Sequence, residues 1–478
     1  MKILNKILKY LFLMGVFFIP FNSFEGLSFL GEFSKEASVF FFIPGMVILF
    51  VTFILRKKII FPYKSLLFQV LVLFIFWCFL ATLLNSPSLI QNEFKGTSGI
   101  IRFIRQYLSI LLSTILFFIF YYNVLNKMSF KEILVSIRNV FLASLIVVSS
   151  YSFFEALISL YDKTNLLPVL ELFNYLPFVN AKIHLGGRLS SVCYEPPFLA
   201  EYLIMISGWM FSFLLTSKGI KKIIPTLLVL VLAFLSGSRT ALIVIFIQFS
   251  VFLLIILRKP RYRNHLFIFT STIVLSISLL VFFNSKRIIK GFKEKIETID
   301  FKSNLTKNVS NQSRLGIQYA SLQVFKENPL FGVGFGQQTF HNRFHYPSWA
   351  TLNNYEFRLF YKNEKISNFP PGYNIYVRIL TETGLIGFLI FLSLILLILI
   401  SSINIIKSKT DEKQVLGMVL LVSFIGFFVN WLQIDSFRVY GIWICFAILI
   451  LLNNNSIKQT NLILKSKENR KDDIFYVD

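Results

Sequence analysis

Residues 383–405 read TGLIGFLIFLSLILLILISSINI and contain no charged side chain. An α-helix rises about 1.5 Å per residue, so a bilayer core of about 30 Å is crossed by roughly 20 apolar residues. The stretch therefore predicts a transmembrane helix. Eleven further apolar runs follow the same pattern, and they lie near 8–23, 38–55, 65–84, 106–122, 138–159, 197–216, 222–237, 239–257, 265–283, 415–433 and 437–453.

The composition of the chain agrees with this pattern. Of its 478 residues, 55% are hydrophobic and 15% are charged, the mean hydropathy is +0.68, and there are 57 Phe. A soluble domain could not bury so many apolar side chains in one core. The sequence therefore predicts an all-α polytopic membrane protein with about 12 transmembrane helices. The net charge of +24 does not indicate nucleic-acid binding, because Lys and Arg mainly separate the apolar runs.

The distribution of Lys and Arg predicts how the helices are oriented. With a cytoplasmic N-terminus, every inside connection is basic, as in RKKIIFPYK at 56–64 and SKGIKK at 217–222. The short outside connections carry far fewer Lys and Arg, as the positive-inside rule requires. We therefore expect a multi-pass protein of the bacterial cytoplasmic membrane with both termini in the cytoplasm.

Four regions follow from this topology. They are transmembrane helices 1–9 at 1–283, a large extracytoplasmic loop at 284–373, transmembrane helices 10–12 at 374–453 and a basic cytoplasmic tail at 454–478. Within the loop, SRLGIQYASLQVFKENP at 313–329 has a helical apolar period formed by Leu315, Tyr319, Leu322 and Phe325. We expect one or two amphipathic loop helices that lie near the outer membrane surface.

The segment ENPLFGVGFGQQ at 327–338 has three glycines at alternate positions. It lacks the Lys and Ser/Thr of a phosphate-binding P-loop, and its spacing is not G-x-G-x-x-G. A nucleotide site is also unexpected outside the cytoplasm. We interpret the segment as a flexible turn after the loop helix. The alternative is a turn in which Gly334 and Gly336 admit the close approach of a lipid-linked substrate.

Three arginines lie at predicted helix ends on the outer side. Arg188 precedes the sixth span, Arg239 occupies the tight connection after the seventh, and Arg314 begins the loop helix. A single arginine near a membrane face is commonly an interfacial anchor. Three on one side suggest an anion site instead, because a guanidinium binds phosphate oxygens bidentately and stays protonated. Arg102 and Arg105, at the start of the fourth span, could join this site.

Two carboxylates of the outer side each have a structural and a functional interpretation. Glu195 precedes two prolines, so it is either a carboxylate at a helix N-terminus or a general base. Glu382 follows Arg378 by four residues, which favours a structural salt bridge on one helix face. No Asp/Glu pair, His spacing or Cys pattern indicates a metal site. We therefore expect neither a metal nor a cofactor.

From about 188 to 388 the chain resembles the O-antigen ligase/polymerase superfamily of bacterial envelope glycosyltransferases. Four stretches carry the resemblance: GRLSSVCYEPPFLAEYL, SGSRTALIV at the start of a span, ENPLFGVGFG in the loop, and NIYVRILTETGLIG entering the next helix. The resemblance implies about twelve spans, one large external loop, and metal-independent use of sugars linked to a lipid diphosphate.

The resemblance also implies which residues act. It predicts glycosyl transfer on the outer face, from a glycan on undecaprenyl diphosphate to a sugar hydroxyl. The arginines that the family is thought to use for the diphosphate correspond to Arg188, Arg239 and Arg314. The expected catalytic residues are Glu195, Arg239 and Arg314, and the expected substrate-binding residues are Arg188, Tyr373, Asn374, Glu382, Gly334 and Gly336. The expected partners are undecaprenyl-diphosphate-linked oligosaccharide as donor and acceptor, membrane lipid and a chain-length regulator, without nucleic acid.

One departure from the family pattern bears on the reaction. Ligases of the family typically have His before the Asn of the loop-closing motif, whereas here Tyr373 precedes Asn374. Tyrosine is a poor base at neutral pH. This favours an inverting polymerase of a surface polysaccharide (O-antigen, capsule or exopolysaccharide), with Glu195 as candidate base. The alternatives are a ligase that transfers finished glycan to lipid A core or another acceptor, and a flippase of lipid-linked sugars.

Overall fold

The computed structural model describes residues 2–56, 59–184, 187–259, 271, 274–275, 278, 308–408 and 410–454. Most of the predicted ninth span (265–283), the loop residues 284–307 and the tail from 455 onward lie outside the described residues. The described chain is mainly helical. Its only strands, within those residues, are the antiparallel pair β1 (Glu93–Phe94) and β2 (Thr97–Ser98).

The longer helices follow one another along the described chain. They are α1 (Lys2–Phe17), α2 (Val39–Arg56), α3 (Leu66–Leu84), α4 (Gly99–Leu125), α5 (Phe130–Tyr161), α6 (Pro196–Thr216), α7 (Ile224–Leu235), α8 (Arg239–Arg258), α9 (Val309–Glu327), α10 (Ile375–Ile406), α11 (Asp411–Asn430) and α12 (Tyr440–Asn454). Short helical turns lie at Ser28–Phe33, Ser86–Gln91, Thr164–Leu166, Leu167–Glu171, Leu172–Tyr175, Gly219–Lys222, Gln338–Asn342, Ser348–Thr351 and Phe357–Tyr361.

Seven of the described helices are long and apolar enough to cross a membrane: α3, α4, α5, α6, α8, α10 and α11. Helices α2, α7 and α12 are shorter apolar helices. The prediction of an all-helical integral membrane protein is therefore confirmed. The number of twelve spans, the membrane side of each connection and the position of the loop relative to the membrane stay predictions.

Some helices extend beyond the apolar runs that predicted them. Helix α5 begins well before 138 because Ser129 caps it, its Oγ accepting a hydrogen bond from Glu132 N at 3.2 Å. Helix α10 begins before 383 because Asn374 Oδ1 accepts hydrogen bonds from two N–H groups of the first turn. Hydropathy identifies the apolar part of a helix, whereas capping side chains decide where the helix starts.

The predicted loop helix exists as α9, but its buried face is not the apolar stripe. Tyr319 and Leu322 of that stripe are 45% and 38% exposed. The buried face consists of smaller and more polar side chains: Gln312, Ser313, Gly316, Ile317, Ala320, Ser321 and Val324. It packs on α10, where Thr381 Oγ1 donates a hydrogen bond to Ser321 O at 2.9 Å. The periodicity predicted the helix but not the face that packs.

A glutamine joins three helices in the core of the bundle. Gln248 of α8 donates from Nε2 to Ile204 O of α6 at 3.0 Å and to Val422 O of α11 at 3.2 Å. Gly426 of α11 makes room for this amide, because a Cβ there would lie 2.1 Å from its Nε2 atom. A buried polar side chain that bonds neighbouring backbones is a common way to hold helices together in an apolar environment.

Helix α10 is broken at Gly384, which has φ 65° and ψ −171°. The glycine turn (residues 328–337) fills the break. Val333 N donates to Thr381 O at 3.1 Å, Gly334 N donates to Glu382 O at 2.9 Å, and Leu385 N donates to Pro329 O at 2.8 Å. The segment forms a turn, as predicted, but these backbone bonds fix it against α10, whereas the sequence predicts a flexible turn. The N–H group of Gly334 is therefore already occupied.

We predict that Gly384→Ala destabilises the protein strongly. A Cβ at Gly384 would lie 2.2 Å from Leu330 O, in a backbone region that only glycine adopts easily. We expect a loss of about 3 kcal/mol or more in the free energy of unfolding, measured by thermal denaturation of the detergent-purified protein. The matched control is Gly219→Ala, where φ is +58° but no atom lies within 4 Å of the added Cβ. Equal effects of both changes would contradict the prediction.

Candidate functional site

The predicted site residues gather at one end of the helix bundle. This loop end holds the α1–α2, α3–α4, α5–α6, α7–α8 and α11–α12 connections, together with the segment that precedes α10. Side-chain contacts join these connections to one another. Arg188, before α6, bonds the α7–α8 turn, and Arg438, before α12, pairs with Glu36 of the α1–α2 connection. Gln106 of α4 bonds Glu32 of the same α1–α2 connection. The loop end therefore forms one continuous surface of polar groups over an apolar bundle.

Glu155 fixes the segment that carries Arg188. Its carboxylate lies fully buried near the end of α5 and accepts hydrogen bonds from Ser190 N at 3.0 Å and Ser191 N at 2.8 Å. Ser190 Oγ donates a third bond at 3.3 Å. Ser191 has φ 55°, a left-handed conformation that is uncommon for residues other than glycine. An acidic side chain inside the apolar bundle thus positions the loop before α6.

Arg188 lies against the tight turn between α7 and α8. Its Nε donates to Ser236 O at 3.3 Å, and the neighbouring Leu189 N donates to Leu235 O at 3.2 Å. Gly237 has φ 65°, and a Cβ there would lie 2.8 Å from Arg188 Cγ. Glycine at this position therefore allows both the positive φ of the turn and the close approach of the Arg188 side chain.

Arg239 and Arg314 lie near Arg188. Burial lowers the pKa of Arg188, repulsion from Arg239 and Arg314 lowers it further, and attraction by Glu195 opposes the shift. Arg239 is exposed as the first residue of α8, which Ser238 caps through a bond from Ala241 N. The structure thus brings together three predicted arginines from well-separated parts of the sequence.

Arg314 is held by partners that carry no charge. Its Nη1 donates to Gln433 Oε1 at 2.9 Å, and its guanidinium carbon lies 5.0 Å from the centre of the Tyr373 ring. The Tyr373 hydroxyl lies 2.7 Å from that of Tyr361. Burial raises the pKa of Tyr373, although the hydrogen bond with Tyr361 opposes the shift. At neutral pH even less of Tyr373 is therefore deprotonated, and able to accept a proton, than of a tyrosine in water.

Arg188, Arg239 and Arg314 are called the arginine group below. Within the described residues none of the three forms an ion pair with a carboxylate. Arg188 and Arg314 are held on neutral hydrogen-bond partners and Arg239 is exposed, so the group concentrates positive charge at the loop end. Such an arrangement suits the oxygens of a diphosphate, which a guanidinium can bind in pairs.

Glu195 occupies the N-cap position of α6, with φ −150° and ψ 160°. Its side chain accepts no capping hydrogen bond and is exposed to solvent. Its negative charge acts on both Arg188 and Lys182. Burial lowers the pKa of each of these two groups, and attraction by Glu195 opposes that shift. The carboxylate is therefore close to the arginine group and is not used to cap the helix.

A cavity of about 450 Å³, the loop-end cavity, opens beside the arginine group. Its charged lining residues are Glu32, Arg102, Arg105, Arg378, Glu382, Asp435 and Arg438, and its aromatic ones are Phe335, Phe369 and Phe437. Gln433 and Asp435 both lie in the short connection between α11 and α12. Gln433 accepts a hydrogen bond from Arg314, and Asp435, which lines the cavity, accepts one from Gly372 N. The cavity and the arginine group therefore share a wall.

The other predicted substrate-binding residues divide between these two regions. Asn374 is the N-cap of α10 and donates from Nδ2 to Gln318 Oε1 at 3.2 Å. Glu382 forms the predicted salt bridge, with 3.1 Å between Arg378 Nε and Glu382 Oε2. Gly336 lines the loop-end cavity. The structure thus places Tyr373 and Asn374 near the arginine group, and Glu382 and Gly336 at the cavity.

Sequence reasoning did not single out Glu155, Glu32, Gln433, Asp435 or Arg438. Glu155 carried a usable signal, because an ionisable residue inside an apolar run is costly and usually has a partner. The others lie in short connections that look like ordinary polar turns, and only the fold brings them together. Arg102 and Arg105, expected near the anion site, line the cavity instead.

The described residues contain no cluster of three His, Cys, Asp or Glu side chains that could hold a metal ion. A family model described as O-antigen ligase matches residues 224–392. The matched range runs from α7 to the middle of α10 and includes Arg239, Arg314 and the glycine turn. A comparison with curated proteins found no match.

We predict that Glu155→Gln loosens the Arg188 segment. One acceptor oxygen would become an NH₂ group that faces N–H donors, so we expect a loss of about 2 kcal/mol in stability. Thermal denaturation and tryptic cleavage after Arg188 measure the two effects. The control is Glu171→Gln, since Glu171 is exposed. A Glu155 variant as stable and as resistant to trypsin as the wild type would contradict the prediction.

Proposed function

We propose, from the chain's membership of the O-antigen ligase superfamily through residues 224–392, that it polymerises a surface polysaccharide. The family supports glycan transfer of the O-antigen ligase/polymerase type in general. In the proposed reaction, repeat units on undecaprenyl diphosphate are joined at the outer face of the cytoplasmic membrane. The loop end is then the extracytoplasmic end, and both termini are cytoplasmic, in agreement with the distribution of Lys and Arg.

The arginine group is the observation that carries the proposal. A glycosyl diphosphate gains negative charge on its leaving oxygen as the bond to the sugar breaks. Guanidiniums that are already fixed in place stabilise this charge without reorganisation. The guanidiniums of Arg188 and Arg314 are held by hydrogen bonds to Ser236 and Gln433, and Arg239 adds an exposed cation at the capped start of α8. Because no carboxylate pairs with them among the described residues, their charge is available to the substrate.

Glu195 is the proposed general base. In the transfer step, the oxygen of the acceptor hydroxyl attacks the anomeric carbon, and the bond from that carbon to the diphosphate oxygen breaks. The diphosphate leaves with the electron pair, and the hydroxyl proton passes to the carboxylate of Glu195. Attack from the side opposite the leaving group inverts the anomeric centre. Glu195 is exposed beside Arg188, whereas burial makes the neighbouring Tyr373 unsuited to accept a proton.

Ligation of a finished glycan to another acceptor is the second candidate function. The description of the matched family as O-antigen ligase favours it. Tyr373, in place of the His typical of ligases, favours the polymerase. The two reactions share the donor and the arginine group, and they differ in whether the acceptor is another lipid-linked repeat unit.

We predict that Arg239→Ala abolishes chain extension. Cells that lack the gene and carry the wild-type protein should show a ladder of glycan lengths on a gel. Cells that carry well-expressed Arg239→Ala should show single repeat units, because the diphosphate loses one of the three cations of the arginine group. The control is Arg258→Ala, an exposed arginine at the opposite end of α8. Loss of all surface glycan, with polymer accumulating on the carrier, would contradict polymerisation and support ligation.

We also predict that Glu195→Gln slows transfer by at least about 100-fold without weakening diphosphate binding. Tyr373→Phe should leave the rate nearly unchanged, because the ring under Arg314 is kept and only the hydroxyl is lost. Both rates are measured with the purified protein and lipid-linked repeat units extracted from the source cells. Glu171→Gln serves as the control. A slow Tyr373→Phe variant together with a fully active Glu195→Gln variant would contradict the prediction and indicate that Tyr373 is the general base.

A further inference from the structure

The loop-end cavity differs from the arginine group in its balance of charge. Its described lining carries four arginines and three carboxylates, so its formal charge is +1. The arginine group carries three positive charges with the single carboxylate of Glu195 nearby. A diphosphate suits the arginine group, but in the cavity it would face Glu32, Glu382 and Asp435. The cavity therefore suits a ligand with one negative charge and many hydroxyls.

Fixed ion pairs and amides form one part of the cavity. Arg378 binds Glu382 at 3.1 Å and donates to Gln106 Oε1 at 2.9 Å. Gln106 in turn donates to Glu32 Oε1 at 3.1 Å, and Glu32 pairs with Arg438 at 3.4 Å. This chain of bonds holds carboxylates and amides in defined positions. Such groups accept and donate hydrogen bonds to sugar hydroxyls.

Two arginines of the cavity have no carboxylate partner among the described residues. Arg102 and Arg105 are three residues apart on α4 and so share a helix face. The guanidinium carbon of Arg102 lies 4.1 Å from the centre of the Phe369 ring, and its Nε has no hydrogen-bond partner. Gln338, which is 5% exposed, also lines the cavity with an unpartnered Oε1 atom. These groups can bind a carboxylate and a hydroxyl together.

We propose that the loop-end cavity is a saccharide subsite that selects a sugar carrying a carboxylate, such as a uronic acid residue. Arg102 and Arg105 bind the carboxylate, the fixed carboxylates and amides bind the hydroxyls, and Phe369 and Phe437 contact the apolar face of the ring. A volume of about 450 Å³ is within the range of small-molecule sites. The inference rests on the proposed glycan transfer, because it assumes that the substrate is a saccharide.

The position of the cavity supports this assignment. Gly372 N donates to Asp435 Oδ2 at 2.7 Å, and Tyr373, the next residue, lies under Arg314. Asp435 also accepts a hydrogen bond on its backbone carbonyl from Arg378 Nη1 at 2.8 Å. A substrate whose diphosphate lies on the arginine group can thus place a nearby sugar residue in the cavity. The subsite would restrict which repeat units are joined.

Binding measurements on the purified full-length protein test the proposal. The probes are methyl glucuronoside and methyl galacturonoside, their neutral counterparts methyl glucoside and methyl galactoside, and inorganic diphosphate. We expect at least one uronoside to bind about tenfold more tightly than its neutral counterpart. Arg102→Gln and Arg105→Gln should each remove about a tenfold advantage, and Arg102→Lys should retain part of it. Neither Gln variant should change diphosphate binding.

Two further variants, Arg239→Gln and Arg358→Gln, separate the cavity from the arginine group and control for the loss of a surface charge. Arg239→Gln should weaken diphosphate binding alone, and Arg358→Gln, at an exposed position outside the cavity, should change neither ligand. Equal binding of acidic and neutral glycosides, absence of saturable uronoside binding, or loss of diphosphate binding in Arg102→Gln would overturn the subsite. Diphosphate binding that does not depend on Arg239 would instead undermine the proposed function. Thermal denaturation of every variant confirms that it is folded.

Discussion

The break in α10 at Gly384 is the constraint on which the loop end depends. A helix that breaks inside a protein leaves carbonyl and N–H groups without partners, and each such buried group is costly. Here the glycine turn supplies those partners through Val333, Gly334 and Pro329. Trp77 Nε1 of α3 adds a bond to Thr383 O at 3.0 Å. The loop is thus fastened to the bundle through backbone atoms, and its site residues acquire fixed positions.

A cluster of three arginines without carboxylate partners is unfavourable by itself, because like charges repel and burial removes solvation. The surrounding structure tolerates it through neutral contacts: a carbonyl for Arg188, an amide and an aromatic ring for Arg314, and solvent for Arg239. A bound anion would relieve the repulsion. Instability of a local arrangement in the absence of ligand is a common property of binding sites.

The sequence was informative where one local pattern determines one structural feature. Apolar runs predicted the helices, the glycine spacing predicted a turn, and the four-residue separation of Arg378 and Glu382 predicted their salt bridge. Prediction was weaker where long-range packing decides. The packed face of α9 is small and polar because both α10 and the short turns of residues 338–361 pack closely on it. The loop-end cavity combines residues from Glu32 to Arg438 that no local pattern connects.

The glycine break also divides α10 into two parts of different character. The part before Gly384 is held by the glycine turn and contains the buried ion pair of Arg378 and Glu382. The part after Gly384 has about 22 residues and a length of about 33 Å. That length is enough to cross a core of about 30 Å, so the break separates an apolar helix of membrane-crossing length from a polar first part that belongs to the loop end.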